Sequence, residues 1–95
     1  MLTLEEAIRL HGHLGPFLVI GYRAGLIAAA LLSLDGRRIK CRVRLPRRTP
    51  YSCILDGIQA SSGCTSGKGN LIVEDSPDGE VLVEFREKES GRSVI

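Results

Sequence analysis

Ninety-five residues with a net charge of +2, of which 43% are hydrophobic and 25% charged, describe one globular domain and exclude a disordered chain. Four aromatic residues, two Phe and two Tyr, leave a thin and mostly aliphatic core, so self-association into a homodimer is expected. Three cysteines, Cys41, Cys53 and Cys64, form no C-x-x-C pair; this argues against a disulfide framework or a zinc finger of ordinary spacing and, with no secretory leader ahead of the first helix signal, for a reducing cytoplasm.

Thr3-Leu4-Glu5-Glu6 is a capping box, with Thr3 as N-cap and Glu6 reaching back to it. Leu4, Ala7, Ile8 and His11 share one face, which predicts a short helix to about Leu10, ended by Gly12. After the loop His11-Gly12-His13-Leu14-Gly15, Pro16 fits the first turn of a second helix that runs on over 17–34. This stretch is apolar enough to raise the question of a membrane span. Its length is borderline, and Arg23 would sit inside at a cost of about 2.5–3.5 kcal/mol, so it is read as the central helix of a protein with no membrane partner. Gly21 and Gly25 lie one turn apart and leave a groove for another backbone, within the fold or across a dimer.

Asp35-Gly36 is a turn signal. Ile39, Cys41, Val43 and Leu45 then alternate with Lys40, Arg42 and Arg44, the pattern of a half-exposed strand, with Cys41 a small core residue. Seven of the thirteen basic residues fall within 37–48 and seven of the eleven acidic ones within 74–89. A basic block can read nucleic acid, but it lacks the interleaved aromatics that stack on bases. Basic and acidic strands lying side by side explain the segregation better, and nucleic acid is not the expected partner.

Pro46 and Pro50 bracket a basic loop. A third helix over 52–62 follows, capped by Thr49 or Ser52 and closed by Gly63. Ile54, Leu55 and Ile58 make its apolar face; Cys53, Asp56, Gly57 and Ala60 make a mostly small face that something else must approach, with Gln59 at its edge. Strands over 71–75 and 80–87, joined by the turn Ser76-Pro77-Asp78-Gly79, read as a hairpin. Residues 91–95 add a short strand or fray. The order α-α-β-α-β-β predicts an α+β domain, a small and mainly antiparallel sheet with helices on one side.

The densest run of unusual residues is Gly63-Cys64-Thr65-Ser66-Gly67-Lys68-Gly69-Asn70. Only three residues separate Gly63 from the Gly67-Lys68 pair, and Gly69 follows, so it is no nucleotide-triphosphate P-loop. It is either a plain connector from helix to strand or a loop that a ligand approaches. Both histidines, His11 and His13, occupy the other glycine-rich loop. Neutral imidazole is the commonest protein metal ligand, but two are too few for a closed site, so a thiolate must join them. Cys64 is the first candidate and Cys53, near a helix N-terminus, the second. Such an N/S site suits a divalent metal, whether zinc, iron, nickel or copper. Cys64, Asp56 as an orienting group or base, and Lys68 as a partner for an anion are the candidate catalytic residues.

Cys53-Ile54-Leu55-Asp56-Gly57-Ile58-Gln59 followed by Gly63 to Leu71, together with His11-Gly12-His13-Leu14-Gly15-Pro16 and Gly21-Tyr22-Arg23-Ala24, resembles the two signatures of FmdE, a family named for formylmethanofuran dehydrogenase. The resemblance covers nearly the whole chain. It implies a single core domain over 1–95, often dimeric, with a His/Cys pocket able to hold a metal, commonly zinc. By motif position, that pocket takes His11, His13, Cys53 and Cys64, with Asp56, Gln59 and Lys68 beside them. It also implies association with the subunits of a larger oxidoreductase complex, whose molybdopterin and iron–sulfur chemistry is expected elsewhere. Two departures stand out. Gly15 and Phe17 replace a cysteine and a glycine of the family's loop, which removes one thiol from the pocket. Residues 1–95 read as a minimal core, without the cysteine-rich zinc finger that many members of the family carry beyond it.

Overall fold

The structure is a computed structural model that describes residues 2–32, 39–87 and 93–94. Helix α1 (Leu4–His11) begins at the capping box: Thr3 Oγ1 accepts from the Glu6 amide at 3.1 Å and Glu6 Oε1 accepts from the Thr3 amide at 2.9 Å. Gly12, at φ 110°, ends it in the left-handed region, its amide donating to the Ile8 carbonyl. Helix α2 (Pro16–Leu32) starts with proline in its first turn. Residues 33–38, with the Asp35-Gly36 turn, lie outside the described residues. Helix α3 (Cys53–Ser62) ends at Gly63, φ 78°. Ser52 precedes it, but its side chain caps nothing, and Pro50 sits in the turn before the helix rather than in its first turn.

Strand β1 (Ile39–Leu45) lies at the middle of a four-stranded sheet with β2 (Leu71–Asp75), β3 (Leu82–Glu87) and β4 (Ser93–Val94), in the order β2-β1-β3-β4. Of the tail over 91–95, only Ser93 and Val94 are described, as that short strand against β3. β1 runs parallel to β2 and antiparallel to β3, so the sheet is mixed with antiparallel pairing in the majority. The expected hairpin over 71–87 does not form, because β1 stands between its two strands. The Ser76 amide donates to the Leu45 carbonyl, continuing the β2–β1 pairing. Glu80 and Val81, read from sequence as strand, are linker. Residues 76–81 therefore cross over the end of β1, spanning two strand spacings, about 10 Å.

α2 and α3 pack on one face of the sheet, and α1 lies against these two helices. Ile39, Cys41, Val43 and Leu45 are fully buried on that face, with Ala28 and Leu32 of α2 and Ile54 and Ile58 of α3. The other face carries the charge: Arg42 stands opposite Glu84 and its guanidinium lies 3.3 Å from Glu74. The segregated charges are thus cross-strand partners. No helix among the described residues is long and apolar enough to cross a membrane.

α2 and α3 approach through glycine. A Cβ on Gly21 would overlap the Ile54 carbonyl, one on Gly25 the Ser61 hydroxyl, and one on Gly57 the Leu18 carbonyl and Tyr22 amide. The groove at Gly21 and Gly25 is filled from within the fold, and of the small face of α3, Gly57 is covered by α2 while Asp56 meets His11 of α1. Because Gly21 meets Ile54 and Gly25 meets Ser61, numbering rises together and the two helices run in the same general direction. Their N-termini share one end of the molecule, where the histidine loop lies.

Candidate functional site

His11 belongs to the last turn of α1, on the face that packs toward α3. The start of the chain is tied to the same helices: the Leu2 amide donates to the Ala60 carbonyl, and the Tyr22 hydroxyl donates to the Leu2 carbonyl. So anchored, α1 brings His11 Nδ1 to 2.6 Å from Asp56 Oδ2. The imidazole is 12% exposed and the carboxylate 37%. An ionised carboxylate only accepts, so the Nδ1 that faces it is the donor, and in the tautomer this selects for a neutral imidazole Nε2 is the atom with the lone pair. That Nε2 is buried and has no hydrogen-bond partner.

Two further groups complete the surroundings. The His13 ring lies 4.8 Å from the His11 ring, tilted by 37°. Gly15 sits beside His13, where a Cβ would come within 3.3 Å of Nε2. Behind the pair, Gln59 Nε2 donates to the second oxygen of Asp56 at 3.4 Å, and Gln59 Oε1 accepts from the Ser66 amide at 3.2 Å. A continuous chain of hydrogen bonds therefore runs from the glycine-rich loop over 63–70 through Gln59 and Asp56 to His11.

The family profile described as FmdE, molybdenum formylmethanofuran dehydrogenase operon, matches residues 10–95. The chain belongs to the FmdE family. Among curated proteins, a probable S-adenosyl-L-methionine-binding protein of Archaeoglobus fulgidus is 33% identical over 79 residues, 76% of this chain and 20% of that protein. The FmdE-family chain described here thus spans about a fifth of the length of that relative.

The cysteines expected at the FmdE site take different places. Cys53 is half-buried at the first turn of α3, one turn before Asp56. Cys64 is fully buried; its Sγ donates to the Ile39 carbonyl at 3.4 Å and its amide donates to Ser62 Oγ at 3.1 Å. Cys41 lies in the same core, where burial first, and then Cys64 and Glu84, push its thiol far above the ordinary range. Among the described residues no three of His, Cys, Asp or Glu converge in a way that would hold a metal ion. Of the expected ligands, His11 and His13 have neighbouring rings, whereas the Cys64 thiol is turned to the Ile39 carbonyl.

The glycine-rich loop is a clamped connector. Buried Asn70 accepts from the Thr65 amide at 2.8 Å and donates to the Ile39 carbonyl at 3.2 Å, fastening the loop to the start of β1. Lys68 is exposed at its tip, its amide donating to Thr65 Oγ1. The motif resemblance set Gln59 beside the pocket, and its spacing of three from Asp56 on one helix allowed a contact between them, but that it bridges this loop to Asp56 was not anticipated. Nor was the edge-on packing of Phe17 on Tyr51 anticipated, with the Arg48 guanidinium over the Tyr51 ring.

Proposed function

We propose that this FmdE-family domain binds a divalent metal, zinc first, through the imidazoles of His11 and His13, and works beside the subunits of a larger oxidoreductase-type assembly. The observation that carries this reading is the buried, unpartnered Nε2 of His11 behind a ring oriented by Asp56. A carboxylate on one ring nitrogen and a free lone pair on the other is the arrangement by which proteins fix a ligating histidine. Gly15 sets no Cβ against His13 Nε2, and a small exogenous ligand would take the remaining coordination positions. A bound divalent metal would supply Lewis acidity there; Asp56 and Lys68 are the protein groups available to hold a proton and an anion. The test is zinc content by elemental mass spectrometry on anaerobically purified protein, with zinc titration of wild type, H11A and H13A. Equal uptake by wild type and H11A, or no uptake at all, ends this reading.

A second reading, a non-catalytic module that binds a small ligand or partner chain, is favoured by Cys64 lying in the core and by the match to a fifth of a longer relative. The name of that relative makes S-adenosyl-L-methionine the ligand to titrate alongside zinc. Saturable binding of it by metal-free protein would favour this second reading. A homodimer belongs to either reading: Ile20, Ile27 and Leu31 of α2 are 54%, 58% and 59% exposed on one face of the helix. Light scattering after size exclusion decides it, and a monomer at high micromolar concentration removes the dimer.

A further inference from the structure

Gln59 holds two groups that nothing else among the described hydrogen bonds connects. Its Oε1 accepts from the Ser66 amide, in the glycine-rich loop, and its Nε2 donates to Asp56 Oδ1, whose other oxygen holds His11. The polarity of the chain admits only a side-chain amide. A carboxylate at position 59 could accept from Ser66 but would face Asp56 with a like charge; an aliphatic side chain could do neither. The loop is otherwise fastened at Cys64 and Asn70, both bonded to the Ile39 carbonyl at the start of β1.

We infer that Gln59 is a positioning residue that couples the conformation of the glycine-rich loop to the orientation of the His11 imidazole. Its amide fixes the Asp56 carboxylate, the carboxylate fixes the ring, and the same amide orders Ser66. A ligand that touches the loop thereby alters the state of the imidazole, and a group bound at His11 Nε2 tightens the loop. The consequence for function rests on the reading of His11 as the ligating group. The coupling itself does not, and it is testable in metal-free protein.

The experiment is NMR on metal-free wild type, Q59L and Q59E, following the His11 ring nitrogens and ring N–H and the hydrogen exchange of the Ser66 amide. In Q59L, Ser66 should exchange roughly three- to tenfold faster, the loss of one ordinary hydrogen bond, and the His11 ring resonances should move. In Q59E the Ser66 amide keeps an acceptor and should exchange within about twofold of wild type, while the His11 resonances still move. Unmoved His11 resonances in Q59L would reduce Gln59 to an anchor for the loop and overturn the proposal, whatever Ser66 does. Should Q59L fail to fold, Q59E decides alone, and unmoved His11 resonances there overturn it equally. Zinc added to wild type should slow Ser66 exchange and leave it unchanged in Q59L. Absence of zinc binding would strike the metal reading, whereas a response of Ser66 that survives Q59L would strike the coupling.

Discussion

Gly21 of α2 lies against the backbone carbonyl of Ile54 in α3, with no room between them for a Cβ atom. Gly57 repeats the relationship from the other helix, against Leu18 and Tyr22. The obstructing atoms are backbone, which cannot rotate away, so an added methyl must push the helices apart. Gly21→Ala and Gly57→Ala should each destabilise the domain by about 3 kcal/mol, lowering Tm by roughly 12–24 °C for a domain of this size. Gly67→Ala, at a position with nothing within 4 Å, should shift stability by no more than about 0.5 kcal/mol. Thermal unfolding followed by circular dichroism checks all three, and a Gly57→Ala variant as stable as wild type contradicts the packing.

The three thiols should separate by reactivity. Cys53 is partly exposed, whereas Cys41 and Cys64 are fully buried, so a thiol reagent should label one cysteine readily in native protein and the other two only on unfolding. Cys64→Ser should cost about 1–2 kcal/mol, because it puts a more polar group in an apolar core that keeps one hydrogen-bond acceptor, the Ile39 carbonyl. Peptide mapping after a short pulse of alkylation identifies the labelled residue.

Cys41 also sets an alkaline limit. Its thiol is held well above its ordinary 9.0 by burial, so the folded chain retains a proton that the unfolded chain releases. The stabilisation from this group is complete below pH 9.0 and declines as pH rises above it. Denaturant midpoints should fall with pH above 9.0, and Cys41→Ala should flatten that slope while lowering stability at pH 7.

The acid limb has the opposite sign. The Thr3 amide and hydroxyl lower the pKa of Glu6, and the Ser76 hydroxyl and Glu80 amide lower that of Asp78. Groups lowered in the folded state stabilise it above the ordinary carboxyl range and lose that contribution as pH falls through their folded values. Thr3→Ala should cost about 1 kcal/mol at pH 7, and less at a pH where Glu6 is protonated. Equal costs at both pH values would mean that the reciprocal cap contributes nothing through charge.

Local signals were legible in the sequence because local forces decide them. The capping box at Thr3, the left-handed residues at Gly12 and Gly63 and the alternation from Ile39 to Leu45 all came through at their positions. Strand order did not, because pairing is settled by tertiary contacts. Two strands with a turn signal between them suggested a hairpin, yet the fully buried inner face of β1 takes the centre and accepts a strand on each edge. The site divides along the same line. Asp56 and the histidines carry recognisable chemistry in the sequence, but only the fold reveals that Gly57 is reserved for α2 and that the Cys64 thiol points at a strand carbonyl.

Asp56 offers the sharpest separation of the site from the scaffold. Its carboxylate meets His11 on one side and Gln59 on the other, and it is only partly buried, so removing its charge should disturb stability little. Asp56→Asn keeps the shape but replaces an acceptor-only group with an amide that can turn a donor toward Nδ1, so the ring loses its fixed tautomer. Zinc affinity should fall about 10- to 100-fold, the usual effect of losing the group that orients a ligating histidine. H11A should lose more, and Cys64→Ser should leave the affinity within about twofold while lowering stability, if the imidazoles are the ligands. Isothermal titration with zinc across the three variants reads this directly: a Cys64→Ser protein that unfolds normally but no longer binds zinc would return the thiol to the site and displace the two-imidazole arrangement.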